Sequence, residues 1–219
     1  MKKIFLFATA LLMSASMFAE GSVFTYTATE KLESKFQSLG AIVTHDFKDG
    51  AGTVTYSETI TEIPYSGFAT CTQLTSITIP AGVTTIKDLA FSGCSKLQSI
   101  TIPAGVTTIG KNAFFNCSQL TSFTIPAGVT TIKEKTFSYC SKLQSITLPE
   151  GLATIEEKAF NGCTALASVT FLGNACQEGI ATNAFSGVGE DAPALLTLPN
   201  SWTGSKPDED GNWYGGKFE

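Results

Sequence analysis

Residues 74–94 have the sequence LTSITIPAGVTTIKDLAFSGC, and residues 97–117 and 120–140 repeat it as LQSITIPAGVTTIGKNAFFNC and LTSFTIPAGVTTIKEKTFSYC. Each copy begins 23 residues after the one before it. A fixed period of this length with apolar residues in fixed columns is typical of solenoids. One such unit cannot bury its own apolar side chains, so neighbouring units must stack and share a continuous core.

The pattern within each repeat predicts its local structure. In SITI (76–79) the apolar residues alternate with Ser and Thr, as a strand with one buried face requires. Pro80 and its equivalents end the strand because proline lacks the donor that a ladder needs. Strands that return in the same direction on every turn form a short-stranded parallel sheet. The segments KDLAF and KEKTF favour single helical or 3₁₀ turns opposite the sheet. The predicted fold is an α/β repeat solenoid with capping segments at both ends.

The period also predicts how the chain is divided. The apolar frame extends backwards through Val54, Ile63, Phe68 and Cys71, and it resumes after two extra residues at Phe185. The predicted parts are a signal peptide (1–19), an N-terminal cap (20–53), the repeats (54–187), and a last strand with a C-terminal cap (188–219). Helical spacing within 28–36 and a strand, turn and strand over 41–56 predict the structure of the first cap.

The first nineteen residues have the composition of a secretory signal peptide. Lys2 and Lys3 precede an apolar run over 4–13, which is too short to span a bilayer, and small residues follow it. An uncleaved anchor is the alternative. We therefore expect a protein that is secreted or on the cell surface, without insertion in the membrane once the signal is removed.

The charge of the chain argues against two classes of partner. The formal net charge is −5, and all 14 basic residues are lysines. Nucleic-acid binding favours clustered Arg and Lys, and anionic lipid surfaces attract polybasic segments. We predict no nucleic-acid partner.

The repeat consensus L-x-x-I-x-I-P-x-x-V-x-x-I-x-x-x-A-F-x-x-C resembles the BspA-like class of bacterial leucine-rich repeats over residues 48–187. Pro and Gly stand where commoner leucine-rich repeats carry an Asn ladder, and Thr136 and Gly67 replace the Ala before Phe. The resemblance implies a leucine-rich-repeat protein that is secreted or displayed on a bacterial surface. It also implies a non-enzymatic role in adhesion or protein recognition.

Five cysteines follow the period, and Cys176 is the sixth. Equivalent side chains in stacked repeats point in parallel, so disulfides between them would be strained. We expect small, buried, free thiols. A disulfide that involves Cys176 is one alternative, and zinc is another, although no closely spaced pair of ligands exists.

Candidate catalytic groups are sparse. The single histidine, His45, lies in the predicted cap, where a surface or cap role is the simpler interpretation. Glu156 and Glu157 are neighbours in sequence and point in different directions, unlike a glycosidase pair. Residues 208–211 (DEDG) resemble part of a calcium loop but lack the other ligands. We predict no enzyme activity, no cofactor and no metal.

The outward face of the sheet is the candidate ligand-contact surface. It carries Ser and Thr in two files: Ser76, Thr78, Ser99, Thr101, Ser122, Thr124, Ser145, Thr147, Ser168 and Thr170. Three interpretations fit these two rows of residues. They form a plain solvated sheet, a docking surface for a protein or glycan, or an array like those of ice-binding solenoids. Without Tyr, Trp or Arg, such a surface would bind weakly and through many copies.

Three functional hypotheses remain open. The first is recognition or adhesion by a monomer that binds a protein or glycan. The second is a structural spacer or display domain without a ligand. The third is an enzyme with a pocket in a cap. If the strip is not the contact surface, the aromatic residues Trp202, Trp213 and Tyr214 are the next candidates.

Overall fold

The computed structural model describes residues 21–174, 176, 179–190, 193–202 and 206–219. The predicted signal peptide, residues 1–19, lies outside the described residues. The N-terminal part contains one short helix and three strands: β1 (Val23–Ala28), α1 (Glu33–Gln37), β2 (Ile42–Lys48) and β3 (Ala51–Tyr56). The helix and the strand–turn–strand were both predicted from the sequence.

The remaining strands are short and recur with the repeat. In chain order they are β4 (Glu62–Ile63), β5 (Leu74–Thr78), β6 (Thr85–Ile86), β7 (Ser99–Thr101), β8 (Thr108–Ile109), β9 (Ser122–Thr124), β10 (Thr131–Ile132), β11 (Ser145–Leu148), β12 (Thr154–Ile155), β13 (Ser168–Phe171), β14 (Leu195–Thr197), β15 (Asn212–Trp213) and β16 (Gly216–Lys217). They build a β-solenoid of about six stacked turns with almost no helix.

Each turn of the solenoid contributes one strand to a main sheet and one to a lateral sheet. The main sheet follows the order β2-β3-β1-β5-β7 and then β9-β11-β13-β14, and the lateral ladders join β4-β6-β8 and β10-β12. Pairing between successive repeats is parallel, as predicted. Ladder pairing stops between β7 and β9, although the Thr121 N–H still donates to the Gln98 carbonyl at 3.3 Å. Phe123, a larger side chain than the Ile of the preceding repeats, lies at this break.

A column of phenylalanines forms the centre of the core. One Phe from each turn is fully buried, and successive rings stack 5.1–5.6 Å apart with interplanar angles of 3–7°. The column is Phe68, Phe91, Phe114, Phe137, Phe160 and Phe185. Phe185 therefore keeps its place in the stack despite the two extra residues before it.

Aromatic rings also lie at both ends of this column. Phe36 from α1 contacts Phe68 edge-on at 5.2 Å. At the other end, Trp213 and Phe218 contact Phe185 at 5.9 and 5.5 Å. This is the packing that capping segments would need, but the capping roles themselves stay predictions, as do the domain boundaries.

The N-terminal strand order differs from a simple backward extension of the repeats. β1 lies between β3 and β5 and pairs antiparallel with both. Val54 and Tyr56 on β3 fit the apolar frame of the repeats, yet their strand is one position further out. β3 also crosses the predicted boundary between residues 53 and 54.

The predicted helical or 3₁₀ turns opposite the sheet are not confirmed. In each turn segment the backbone N–H groups alternate between two kinds of acceptor. In the segment 89–94 the N–H groups of Leu89, Phe91 and Gly93 donate to carbonyls of the next turn at 2.8–2.9 Å. Those of Ala90, Ser92 and Cys94 close local turns with the third residue back, at 3.0–3.3 Å.

Left-handed residues explain why these segments are not helical. Leu89 has φ 59° and Gly93 has φ 74°, and the same two columns are left-handed in the neighbouring repeats. A left-handed residue every fourth position interrupts any right-handed helix. Because of these left-handed residues, alternate N–H groups point along the axis of the stack. They donate hydrogen bonds to carbonyls of the next turn, much as the N–H groups of a parallel strand do.

Candidate functional site

The ten predicted contact residues lie together on the outward side of the main sheet. Ser76 pairs with Ser99 and Thr78 with Thr101 in the ladder of β5 and β7. The remaining six form matching rows on β9, β11 and β13. Between them the apolar residues of the same strands turn inward, and only Ile100 is more than slightly exposed. The inward and outward assignment made from the sequence is therefore correct.

The file of Thr78 continues beyond the repeats at both ends, which the sequence interpretation missed, whereas the file of Ser76 continues to Thr27 on β1 and ends at Leu195 on β14. Thr25 of β1 lies beside Thr78, and Thr53 of β3 lies beside Thr25. At the other end Thr197 of β14 pairs with Thr170. We call this whole outward surface the hydroxyl face. It crosses eight strands, from β3 to β14. The alternation TYT at 25–27 and TVT at 53–55 was the available signal.

The hydroxyl groups differ in how far they are already bonded. Beside β1 the Thr27 hydroxyl lies 2.6 Å from the Thr75 hydroxyl and 2.7 Å from that of Ser76. Within the described part of the chain, the hydroxyls of Thr101 and Thr147 make no hydrogen bond to protein. The middle of the face thus offers free donors and acceptors to solvent or a ligand.

The hydroxyl face carries no charge along the repeats. The neighbouring outward column contains only Thr, Gln and Ala. Charged side chains appear at the β2 margin, where Asp46 pairs with Thr53 and Lys48 with Ala51. A ligand there would be held by hydrogen bonds, with little electrostatic steering.

The cysteine column has a structural role in the core. Each thiol donates to the carbonyl of a Phe in the preceding turn, at 3.0–3.2 Å: Cys94 to Phe68, Cys117 to Phe91, Cys140 to Phe114 and Cys163 to Phe137. The Phe68 carbonyl also accepts the Cys71 N–H at 3.1 Å. The thiol therefore uses the second lone pair of a buried carbonyl, in a space too small for a larger polar group.

Burial raises the pKa of five of the six thiols: Cys71, Cys117, Cys140, Cys163 and Cys176. All six cysteines are free and buried. Desolvation raises the pKa of Cys71 to about 11 and the pKa values of Cys163 and Cys176 to about 12. Because the thiolate is the nucleophile and the metal ligand, these raised pKa values make Cys71, Cys163 and Cys176 less reactive at neutral pH.

The other groups weighed as chemical candidates have structural partners. The Nε2 atom of His45 lies 2.8 Å from the Tyr26 hydroxyl, and its ring lies edge-on to Phe36. One carboxylate oxygen of Asp208 accepts the N–H groups of Asp210 and Asn212 at 3.0 and 2.8 Å. These bonds lower the Asp208 pKa and close an acidic turn. No group of three or more potential metal ligands occurs among the residues described.

The aromatic residues near the C-terminus are mostly unavailable. Trp202 and Trp213 are 6% and 4% exposed and pack with Phe171. Tyr214 is half-buried against Trp213 at 4.7 Å. The alternative contact surface predicted from these three residues is therefore largely closed by their own packing.

Two shallow cavities lie on the surface of the described part of the chain. One of about 450 Å³ lies beside Ile155, Ile180 and Ala181. The other, about 350 Å³, lies beside Trp202 and is lined also by Lys206 and Glu219. The first cavity is lined also by Thr154 and by the carboxylates of Glu134, Glu156 and Glu157. Within the described ranges there is no helix long and apolar enough to cross a bilayer.

Solved structures with a similar fold come from bacteria. The chain is similar to the leucine rich repeat protein TpLRR of T. pallidum, with a TM-score of 0.53 and 28% identity over 64% of each chain. It is similar in fold to the pneumococcal vaccine antigen PcpA, with a TM-score of 0.55 and 22% identity over 75% of this chain and 39% of that one. The chain spans less than two thirds of the length of these proteins. No curated protein matches it.

The repeat region itself gives the assignment. Residues 22–189 match the BspA type Leucine rich repeat region in 6 copies. That range includes β1–β3 as well as the stacked turns, in agreement with the continuity of the sheet. The chain therefore belongs to the BspA-type leucine-rich-repeat family.

Proposed function

We propose that this protein is exported and acts in recognition or adhesion, and that it binds another protein or a glycan through the hydroxyl face. The observation that carries the proposal is the uniformity of that face. Ser and Thr side chains stay in register across strands of both the repeats and the N-terminal sheet. Eight strands at the usual spacing span about 34 Å, enough for an extended peptide or a sugar chain.

The chemistry of the face favours many weak contacts over one tight site. It lacks the Trp, Tyr and Arg side chains that dominate tight interfaces. Each hydroxyl contributes a modest hydrogen bond, because water competes for it. Display in many copies raises the overall strength of attachment without any new contact. Since the face is uncharged, salt has little effect on the binding.

The test uses a four-site variant and a matched control. Thr78, Thr101, Thr124 and Thr147 are replaced together by Lys, and beads coated with the protein are applied to immobilised mucin and matrix proteins. The control replaces Thr84, Thr107, Thr130 and Ala153, an exposed column of equal spacing beside the lateral strands, by Lys. Both variants should fold, because none of these side chains enters the core.

The outcomes separate the hypotheses. Adhesion that is lost in the first variant and kept in the control supports the proposal. A third variant, with Val at the same four face positions, removes the hydroxyls without adding charge and should also lose adhesion. Equal adhesion by parent and face variants would mean that the hydroxyl face is not the site. If the parent itself fails to adhere, the spacer hypothesis is favoured.

A further inference from the structure

A second surface of the molecule departs from the repeat pattern. Two adjacent columns run along the turn segments, and together we call them the turn ridge. Neither column contains a charged residue: Ala69, Ser92, Phe115, Ser138, Asn161 and Ser186 form one, and Thr70, Gly93, Asn116, Tyr139, Gly162 and Gly187 form the other. Most of these residues are small or polar. Phe115 and Tyr139, one from each column, are the exceptions.

Tyr139 adopts a backbone conformation that its residue type disfavours. Its φ is 61°, in the left-handed region. The equivalent positions in the neighbouring turns hold Gly93, Asn116 and Gly162, which accept this conformation more readily. Thr70 in the same column is also left-handed, at φ 55°, so the conformation belongs to the repeat, and Tyr139 differs from its equivalents by the size of its ring.

The Tyr139 ring is held in place yet stays accessible. A Cβ atom on Gly162 would lie only 2.8 Å from Cδ1 of Tyr139, so the ring occupies space that this glycine leaves open. On its other side Phe115 contacts it edge-on, with ring centroids 5.6 Å apart and planes at 84°. Half of Tyr139 remains exposed, at 50%. A ring fixed before binding loses little conformational entropy when a ligand stacks on it.

We propose that Tyr139 and Phe115 form a stacking site for a neutral sugar ring, separate from the hydroxyl face. A pyranose presents C–H groups on its face and hydroxyls around its rim. The exposed aromatic ring can stack on the C–H face of the sugar. The side-chain amide of the adjacent Asn116 can both donate hydrogen bonds to the sugar hydroxyls and accept them.

The size and charge of the site favour a sugar over a protein partner. Stable protein interfaces bury about 800 Å² on each side around an apolar centre. Two partly exposed rings on an otherwise polar ridge supply only a small fraction of that area. The ridge also offers no groove for a peptide backbone. The absence of charge along both columns favours a neutral ring.

The direct test is a titration of ¹⁵N-labelled protein followed by NMR. The probes are the methyl glycosides of glucose, galactose, mannose and N-acetylglucosamine. At least one should cause saturable shifts of the Tyr139, Phe115 and Gly162 amides, with Thr101 on the hydroxyl face unchanged. If none of the four shifts these amides, the proposal is wrong.

Variants separate stacking from folding. Tyr139→Asn places at this position the residue that already occupies the equivalent left-handed position 116, so the fold should survive. Loss of one aromatic stacking contact should weaken sugar binding roughly tenfold. Tyr139→Phe should bind like the parent. Tyr65→Ala removes another exposed tyrosine, 65% exposed, and should change nothing.

A protein partner would give a different result. If Tyr139→Asn lowers binding to immobilised mucin equally before and after enzymatic removal of its glycans, the occupant is a polypeptide and the sugar proposal is wrong. The four-site Lys variant of the hydroxyl face should leave the sugar-induced shifts unaltered. Its adhesion result therefore tests the hydroxyl face independently.

Discussion

Replacing Phe114 by Ala should remove a large share of the stability of the solenoid. The side chain is fully buried and lies in the middle of the phenylalanine column. It stacks on Phe91 at 5.4 Å and on Phe137 at 5.6 Å, and it meets Phe123 edge-on at 4.9 Å. Truncation of a buried Phe costs about 3–5 kcal/mol. Three lost ring contacts place Phe114→Ala at the upper end, about 5 kcal/mol.

The next residue in the chain provides a matched control. Phe115 is only partly buried, and its ring contact is with Tyr139, so Phe115→Ala should cost about 1 kcal/mol. Thr101→Ala, on the hydroxyl face, should cost less still. Urea unfolding followed by circular dichroism measures all three. With a slope of about 2 kcal/mol per molar urea, Phe114→Ala should lower the midpoint by roughly 2.5 M. Equal midpoint shifts for Phe114→Ala and Phe115→Ala would refute the inward and outward assignment of these residues.

Four further predictions follow from the packing. All six thiols should resist alkylation in the native protein at pH 8 and react once it is denatured without reductant; fewer than four modified sites after denaturation would contradict the free thiols. Burial raises the pKa of groups such as Cys163 to about 12, above the value of about 8.5 that they have in the unfolded chain. The stability that the protonated buried thiols contribute is therefore complete below about pH 8.5 and is lost as the pH rises towards 12. Urea midpoints should fall over that range. Deletion of one whole repeat, 94–116, should leave a folded protein, whereas deletion of 22–53 should not, since it exposes the apolar end of the stack; equal soluble yield and melting of both would refute this. Gly110→Ala should cost about 1–3 kcal/mol, because its Cβ would overlap the Asp88 backbone nitrogen, while Gly105→Ala, with its nearest atom at 3.6 Å, should be neutral by the same urea assay.

The period of the sequence was enough to predict the stacked turns and their core. Columns such as Phe91, Phe114 and Phe137 can all be buried only if each repeat adopts the same path. Alternation within SITI then decides which side chains face outward, because successive residues of a strand point to opposite sides. These inferences depend on local pattern repeated many times, so one irregular repeat does not disturb them.

The N-terminal arrangement was not predictable in the same way. β1 occurs once, so no column of equivalent residues reveals its neighbours. Its position between β3 and β5 depends on contacts across about 50 residues of chain, which a local pattern does not encode. The extension of the hydroxyl face through Thr25 and Thr53 was missed for that reason.

The turn segments and the turn ridge were missed for another reason. Leu89, Lys135 and Lys158 have left-handed backbones, yet none of these residue types indicates that conformation. It is imposed by hydrogen bonds to the next turn. From the sequence Tyr139 is one substitution in a variable column, and only the exposure of its ring and its contact with Gly162 distinguish it.

The hydrogen bonds between successive turns have a mechanical consequence. Among the residues that the structure describes, each turn of the repeats is hydrogen-bonded to its immediate neighbours, along the main sheet, the lateral strands and the turn segments alike. Tension applied along the stack therefore peels turns from an end, one after another. A released turn of 23 residues extends to roughly 80 Å, in place of about 5 Å of stack height. An attached molecule under flow would lengthen stepwise, and each step would limit the load that reaches its bond to the surface.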